Sequence, residues 1–575
     1  MRFVIATVLL ISSMVTFGLG LLFQGPFEAS AQQSIKYEVN EPDSYVLIPH
    51  DTLAKHDGKV FIQASGIKNI FYADAREKDI QYWIGESNYV RLGINPGNGK
   101  GFTSPIRMGG TNANPSGSDL WRNQTSVKSN LLSQVSMFED TGVLLAGDGF
   151  SRAPQSISIL WKIDQPINWP WVLFGLGFLF LISALIINYL GFRNVRKLRG
   201  PRRRIPRAPS GPKYRRRIRA DVPRRGRRVS GRGNAKFVLA PVMLITVGLL
   251  TGCTTSQSVA PTEEVTKYPV LQVVITDNQL QRIVGDLATT VKSADTARDA
   301  NELQKRVTGP ALEIRQVNYL LQGKSKKIKA LPDIVANPIT VALPMQIPAE
   351  ETQWQPRTLM LVTKSPNSKI GPQLMVLQQV SPRENYKLWY LIDLLAGNAF
   401  PKVAAQETGA LTVGADNAFL ATKLSSLPFK YGNILNKGAE SKFASSFNLS
   451  SDGFYEARFA DQSKQEVALK KVKATIQFLH TLGNPNIIGM LTLKSGGLIA
   501  VSMTDTSIIK PTTRGSAVSV TETEQKILLN APGSATGLKI SYENMLLFYV
   551  PISGSNERIR LLGASQGILS VKALQ

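Results

Sequence analysis

The chain has 575 residues, too many for one ordinary domain, and its 43% hydrophobic and 19% charged residues describe a chain that buries cores over most of its length. Its net charge of +26 is concentrated: residues 193–236 hold nineteen Lys and Arg and one acid, Asp221, which accounts for +18, so the basicity belongs to one segment and is no argument for a nucleic-acid-binding fold. A single cysteine, Cys253, excludes an intrachain disulfide and a Cys-rich zinc site, and three histidines (His50, His56 and His480) argue against a His-based one; no cofactor and no metal is expected.

Residues 3–23 follow Arg2 without a charge and are long enough to cross a bilayer as a helix. They also read as a signal peptide, with Ala29-Ser30-Ala31 as a candidate cleavage site. Residues 1–31 are therefore a signal anchor or signal peptide, and either reading places the next segment of chain outside the cytoplasm.

Residues 32–168 are predicted to form a mostly β outer domain. Short runs rich in branched and aromatic residues, Tyr45-Val46-Leu47-Ile48, Lys59-Val60-Phe61-Ile62-Gln63, Asn69-Ile70-Phe71-Tyr72 and Ser156-Ile157-Ser158-Ile159-Leu160-Trp161, are separated by turn residues, as in a small β-sandwich. Residues 76–84 read as a helix with Ile80, Trp83 and Ile84 on one face. The Gly-, Asn- and Pro-rich stretch 93–117 reads as a long surface loop.

A second apolar segment, 171–190, is marked by Trp169 and Trp171 at its entrance and Tyr189 near its exit, where aromatic rings favour the headgroup level. Residues 169–192 are thus a predicted transmembrane helix. The arginine-dense run begins at Arg193, and cationic loops stay on the cytoplasmic side, so the helix runs from outside to inside. Residues 193–236 contain few apolar side chains and cannot bury enough surface to order themselves, so a disordered cytoplasmic linker is expected. Its clusters Arg202-Arg203-Arg204 and Arg215-Arg216-Arg217 have one aromatic neighbour, Tyr214, which supplies base stacking poorly. Contact with anionic lipid headgroups is favoured over nucleic acid, each arginine contributing on the order of 1 kcal/mol near the surface.

Residues 237–253 form a third apolar segment, short for a spanning helix and of the right length for the core of a signal sequence. It closes on Leu250-Thr251-Gly252-Cys253, followed by the polar tract Thr254-Thr255-Ser256-Gln257-Ser258. This resembles the lipobox of bacterial lipoproteins, in which small residues precede a cysteine whose sulfur receives a lipid. The resemblance makes Cys253 the lipidation candidate and residues 254–265 a tether. A chain cut before Cys253 would become two proteins, both held at the membrane.

The remainder is predicted to be α+β, in two units of similar order, 266–405 and 406–575, each with helices first and strands after. In the first, helices are expected at 278–292, 297–307 and 311–322, and strands at 339–343, 357–363, 373–380 and 386–394. In the second, helices are expected between Ala415 and Leu424 and within 465–482, and strands at 497–503, 517–521, 538–550 and 558–562. The order is similar to cystatin-like or nuclear-transport-factor-like cone folds, an analogy that carries no function.

Motifs for chemistry are weak. Gly563-Ala564-Ser565-Gln566-Gly567 matches a hydrolase nucleophile pattern, but only eight residues and no histidine follow it, and a strand-to-strand turn is expected. Gly97-Asn98-Gly99-Lys100-Gly101 lacks the first glycine and the Ser/Thr of a phosphate loop. His50 and His56, with Asp51 and Asp57, read as a solvated loop, and His480 as a helix-end residue. No catalytic or cofactor-binding residue is assigned.

The stretches Asp79-Ile80-Gln81-Tyr82-Trp83-Ile84-Gly85, Val143-Leu144-Leu145-Ala146-Gly147-Asp148-Gly149 and Val501-Ser502-Met503-Thr504-Asp505-Thr506 make the chain resemble uncharacterised actinobacterial envelope proteins with a membrane-anchored outer domain and a lipoprotein ectodomain. That resemblance implies no activity. The expected protein is a multi-domain, membrane-anchored envelope protein, not an enzyme, with membrane lipids as one partner and an envelope protein or cell-wall ligand as another. The alternative is a cell-wall hydrolase or transferase using Asp/Glu chemistry, whose paired carboxylates must be set by the fold.

Overall fold

A computed structural model describes residues 2–24, 32–41, 43–162, 169–198, 272–348, 351–367 and 370–575. It contains mixed β and helical regions in two compact units, one made of Met1–Ala29 with Pro166–Val270, the other of Ser30–Gln165 with Leu271–Gln575.

In the first unit, α1 (Arg2–Gln24) and α4 (Trp169–Leu198) pack along their length and run antiparallel, with Phe3 against Phe192 and Phe17 against Phe174. Both are long and apolar enough to cross a membrane. Close approach follows from small side chains. On α1, Ala6 and Ser13 are buried, and Gly20 lies against the Phe174 ring, at seven-residue intervals. On α4, Gly177, Ala184 and Gly191 repeat that interval, and a Cβ on Gly177 or Gly191 would press on Phe17 or Phe3. Ser13 Oγ donates to Gly177 O at 2.8 Å. Large side chains such as Ile11, Leu21, Phe178 and Ile186 face outward. The basic run starts within the described helix, which extends past Arg193 and Arg196.

The second unit begins with β1 (Gln32–Glu38), β2 (Tyr45–Ile48), α2 (His50–Leu53), β3 (Lys59–Arg76), α3 (Glu77–Ile84), β4 (Tyr89–Ile94), β5 (Gly101–Ile106), β6 (Asn123–Gln134), β7 (Thr141–Ala146) and β8 (Ser156–Lys162). These strands form one eight-stranded sheet in the order β1-β8-β3-β7-β2-β4-β5, with β6 on the free edge of β3 and only β2–β4 parallel. Hydrogen bonding links all of these strands into one sheet. Strand β3 joins its two halves, pairing with β8 over residues 59–65 and with β7 over residues 71–76. Register against β6 breaks between Ser65 and Asn69, where Gly66 takes φ +103. The two runs read as separate strands are thus one strand through a glycine. The stretch 93–117 is corrected in part: β4 and β5 form a hairpin, and residues 95–100 are its turn, with Gly99 N donating to Asn95 O.

Alternation places Val60, Ile62, Tyr72, Leu145, Ile159 and Trp161 in an inner core. The opposite face gathers Tyr45, Leu47, Phe71, Ala73 and Leu144 with Ile80, Trp83 and Ile84 of α3 and with Trp121.

Residues 272–575 continue with β9 (Gln272–Val273), α5 (Asp277–Ala297), α6 (Ala300–Gln304), α7 (Gly309–Lys324), β10 (Ile339–Pro344), β11 (Gln346–Ile347), β12 (Arg357–Thr363), β13 (Gln373–Gln379) and β14 (Lys387–Asp393). Thr276 and Gln279 close a capping box at the start of α5. Then come β15 (Thr412–Val413), α8 (Leu427–Lys437), α9 (Gly453–Lys471), β16 (Ala474–Leu482), β17 (Ile488–Leu491), β18 (Gly497–Pro511), β19 (Val518–Ser519), α10 (Thr523–Leu529), β20 (Gly533–Ser534), β21 (Leu538–Val550) and β22 (Arg560–Ala573). The larger strands make a four-stranded antiparallel sheet, β10-β12-β13-β14, and a six-stranded sheet, β15-β17-β18-β21-β22 with β16 also on β18.

One core draws on α5, α7, the four-stranded sheet and Met490, Leu498, Ala500, Met545 and Leu547 of the six-stranded sheet. The other face of that larger sheet is covered by Leu427, Tyr431, Ile434 and Leu435 of α8 and by Phe447. Two helical readings are corrected. Residues 415–423 hold turns and bends, where Phe419 N is held by Asn417 Oδ1, a 3-10 turn follows at Leu424–Ser426, and the α-helix starts at Leu427 beside Pro428. Helix α9 stops at Lys471, Lys473 takes φ +55, and β16 follows with an alternating face in which His480 is a strand residue, not a helix end.

Candidate functional site

The most heavily built polar region of the second unit lies where residues 32–162 meet residues 272–575. Loop 117–121 is held on both sides. Asn385 Nδ2 donates to Gly117 O, and Asp119 N donates back to Asn385 Oδ1, both at 3.0 Å. Gln279 of α5 donates to Asp119 O and Leu120 O, and Arg282 donates to Trp121 O at 2.6 Å. The Asp119 carboxylate is fully buried; it accepts from Tyr386 N at 2.8 Å and from both terminal nitrogens of Arg306. Trp121, with no exposed surface, anchors the loop from below and donates its indole N–H to Pro115 O.

A few residues away, Arg383 completes α3. Helix ends leave carbonyls without partners, and Arg383 donates to Trp83 O at 2.9 Å, Ile84 O at 2.8 Å, Thr111 O at 2.9 Å and Ser87 Oγ at 2.8 Å. Its guanidinium also lies over the Trp83 ring, 5.4 Å from the centroid.

A charge-balanced network of three arginines and three acids adjoins these contacts. Arg357 Nη2 lies 2.9 Å from Asp79 and 2.7 Å from Glu351. Arg76 lies 3.1 Å from Asp79, 2.9 Å from Asp140 and 3.4 Å from Glu351, and Arg122 pairs with Asp140 at 2.8 Å. The Arg357 side chain is 1% exposed and that of Asp79 6%. Burial pushes the Asp79 carboxyl above its ordinary range, and the two arginines oppose that shift. Trp354 covers the Arg357 guanidinium at 4.5 Å.

Two further polar clusters flank the six-stranded sheet. On one side, His480 Nδ1 sits 2.5 Å from Asp505 Oδ1, and its Nε2 sits 3.0 Å from Asn436 Oδ1. Arg458 lies 3.7 Å from the other Asp505 oxygen. On the other side, Glu543 accepts from Ser502 Oγ and from Thr504 Oγ1, the latter at 2.9 Å. Burial, opposed by the Thr504 hydrogen bond and reinforced by Glu313 and Asp505, raises the Glu543 carboxyl to about 7.

The sequence motifs fare differently. The stretch 563–567 lies inside β22, not in a turn. Its glycines make room, Gly563 for Ile392 and Gly567 for Ile314, and Ser565 Oγ donates to Asp393 rather than facing a base. His50 and His56 serve different neighbours: His50 N donates to Glu77, and the His56 ring packs edge-on to Trp161. Among the described residues no cluster of three or more His, Cys, Asp or Glu could hold a metal ion. Cys253, the arginines Arg202, Arg203, Arg204, Arg215, Arg216 and Arg217, the cleavage candidate 29–31, the third apolar segment and the tether lie outside the described residues.

Sequence reading missed Asp119, Arg306, Arg357 and Arg383 because their partners are remote: Arg357 meets Asp79 across 278 positions. The available signal was Leu120-Trp121, large apolar residues closing a run of Ser, Gly and Asp.

No curated protein and no solved structure matches the chain. Residues 271–573 match the family described as Domain of unknown function (DUF8094); they are the part of the chain that holds both α+β sheets and the receiving side of the loop 117–121 contacts, and the chain belongs to that family.

Proposed function

We propose that the chain is a non-catalytic, membrane-anchored envelope protein whose family domain and N-terminal β region act together, outside the cytoplasm, as one body that binds an envelope partner or cell-wall ligand. The observation that carries this reading is that residues 30–165 and 271–575 belong to one compact unit. Segments that pack together share one side of a membrane. With α1 and α4 crossing as an antiparallel pair and the arginine-dense run retained in the cytoplasm, the chain must cross again between residues 199 and 271. The apolar run 237–252 supplies that crossing and ends on Cys253. The resemblance to actinobacterial envelope lipoproteins fits the same arrangement, with Cys253 lipidated at the outer surface and Arg202–204 and Arg215–217 on anionic headgroups. Within this reading, segments 266–405 and 406–575 are cone-like α+β units fused through their shared core.

A cell-wall hydrolase or transferase is the second reading, and Glu543 is the observation that favours it, since a carboxyl near 7 suits general acid or base work. At 2% exposure Glu543 lacks the access a substrate needs, which weighs for the first reading.

Thiol labelling decides the topology. In a Cys253→Ser background, single cysteines at Asn98, Ser210 and Glu440 are exposed to a membrane-impermeant maleimide. Positions 98 and 440 are expected to label in intact cells, and position 210 only after permeabilisation. Protection of either 98 or 440 would refute the arrangement.

A further inference from the structure

The contacts of loop 117–121 and α3 carry a consequence beyond membrane placement. We infer that the family domain is a docking module for residues 32–162, and that the two remain one body when the chain between them is cut. The partner it fits is therefore this chain's own β region.

Three features make the surface a built receptor. The loop presents backbone groups, not long side chains, and the family domain answers each: Asn385, Gln279 and Arg282 meet Gly117 O, Asp119 O, Leu120 O and Trp121 O. Helix α3 ends on carbonyls that Arg383 caps. Finally, Asp79 and Asp119 on one side are buried against Arg357 and Arg306 on the other. Asp119 and Arg306 answer each other across the contact, and Asp79 and Arg357 do so while each also keeps a partner on its own side, Arg76 and Glu351. The buried pairs also specify the register of docking, because a misplaced partner would strand a charge without water. None of these contacts uses the connecting chain.

The position of Cys253 gives the inference its use. Addition of water across the Gly252–Cys253 peptide bond would leave a carboxylate on Gly252 and an amino group on Cys253, and so two chains. Docking would then hold the C-terminal chain to the N-terminal one independently of any lipid on Cys253.

The test uses the full chain with a site-specific protease sequence inserted after Ser258. Cutting there frees a C-terminal fragment without an apolar segment and without Cys253, so only docking can retain it. Membranes carrying the cut protein are washed in about 1 M salt, where the Debye length is about 3 Å and surface attraction is screened. The fragment is expected to stay in the membrane fraction, and Arg383→Ala combined with Asn385→Ala to release it. Release of the fragment from the unsubstituted protein overturns the inference. Retention of the doubly substituted fragment at the unsubstituted level overturns the assignment of the receptor surface. Because membrane sidedness does not enter this readout, a failed labelling pattern and a failed retention remain distinguishable.

Discussion

Asp119→Ala is expected to destabilise the second unit by about 3–5 kcal/mol, the scale for removing one partner of a buried ion pair. The side chain is 0% exposed and holds Arg306, which is 8% exposed. Truncation leaves the guanidinium with Asp286 at 3.8 Å, a half-exposed residue, and the Tyr386 carbonyl at 3.4 Å. It also strands the Tyr386 amide, an unpaired buried donor worth about 1–3 kcal/mol within that total. Asp119→Asn keeps an acceptor and the side-chain volume but not the charge, so its loss should be intermediate. Denaturant unfolding of the detergent-solubilised chain provides the measurement, with a lowered midpoint at unchanged slope as the signature. A change within about 0.5 kcal/mol of zero, the range of ordinary surface substitutions, would mean that loop 117–121 is not seated as described.

Two competing requirements explain why this contact matters more than the exposed pairs. Arg91–Asp51 and Lys305–Glu302 bridge solvated side chains, and such pairs contribute about 0–1 kcal/mol because water screens them. Asp119, Asp79 and Arg357 have given up water, so their value lies in the penalty for separation rather than in the attraction itself. A contact of that kind discriminates strongly and stabilises weakly, as expected of a surface that must accept one partner and reject others.

Local pattern was legible where a strand or helix faces one environment along its length. The strand 357–363 and the strand 538–550 coincide with their expected bounds, and Ile80, Trp83 and Ile84 share the buried face of α3 as their spacing requires. Pattern failed where an element lacks a clear apolar face. Strand β6 is polar and largely exposed at the edge of β3, so Asn123–Gln134 carries almost no alternation. Residues 474–482 do alternate, but they follow a helix closely enough to be absorbed into it. The docking surface was illegible for a different reason. Asp79, Arg306, Arg357 and Arg383 are unremarkable as single charged residues, and only the fold brings them to charges and carbonyls hundreds of positions away.

Glu543→Gln is expected to make the chain more stable above neutral pH and to leave it nearly unchanged in acid. Burial raises the folded-state carboxyl from 4.5 to about 7, so the folded chain holds the proton more tightly than the unfolded chain. The stability tied to that proton is complete below about pH 4.5 and is lost as pH rises through about 7. At pH 8 the deficit is up to about 3 kcal/mol at 1.36 kcal/mol per pK unit, and an amide escapes it. Asp74, also buried and raised to about 6, gives the unsubstituted protein a slope of the same sign at lower pH, so the variant should flatten the upper part of the profile only. Around Glu543, Glu313 and, through the sheet, Asp505 oppose its ionisation, the Thr504 hydrogen bond works the other way without cancelling the effect of burial, and Ser502 and Thr504 can hydrogen-bond either the acid or the amide. Parallel stability curves for the two proteins between pH 5 and 8 would show that water reaches the carboxylate. The same substitution separates the two functional readings: a hydrolase or transferase that depends on this carboxyl would lose turnover in the Glu543→Gln variant, whereas a binding body would keep its partner and gain stability.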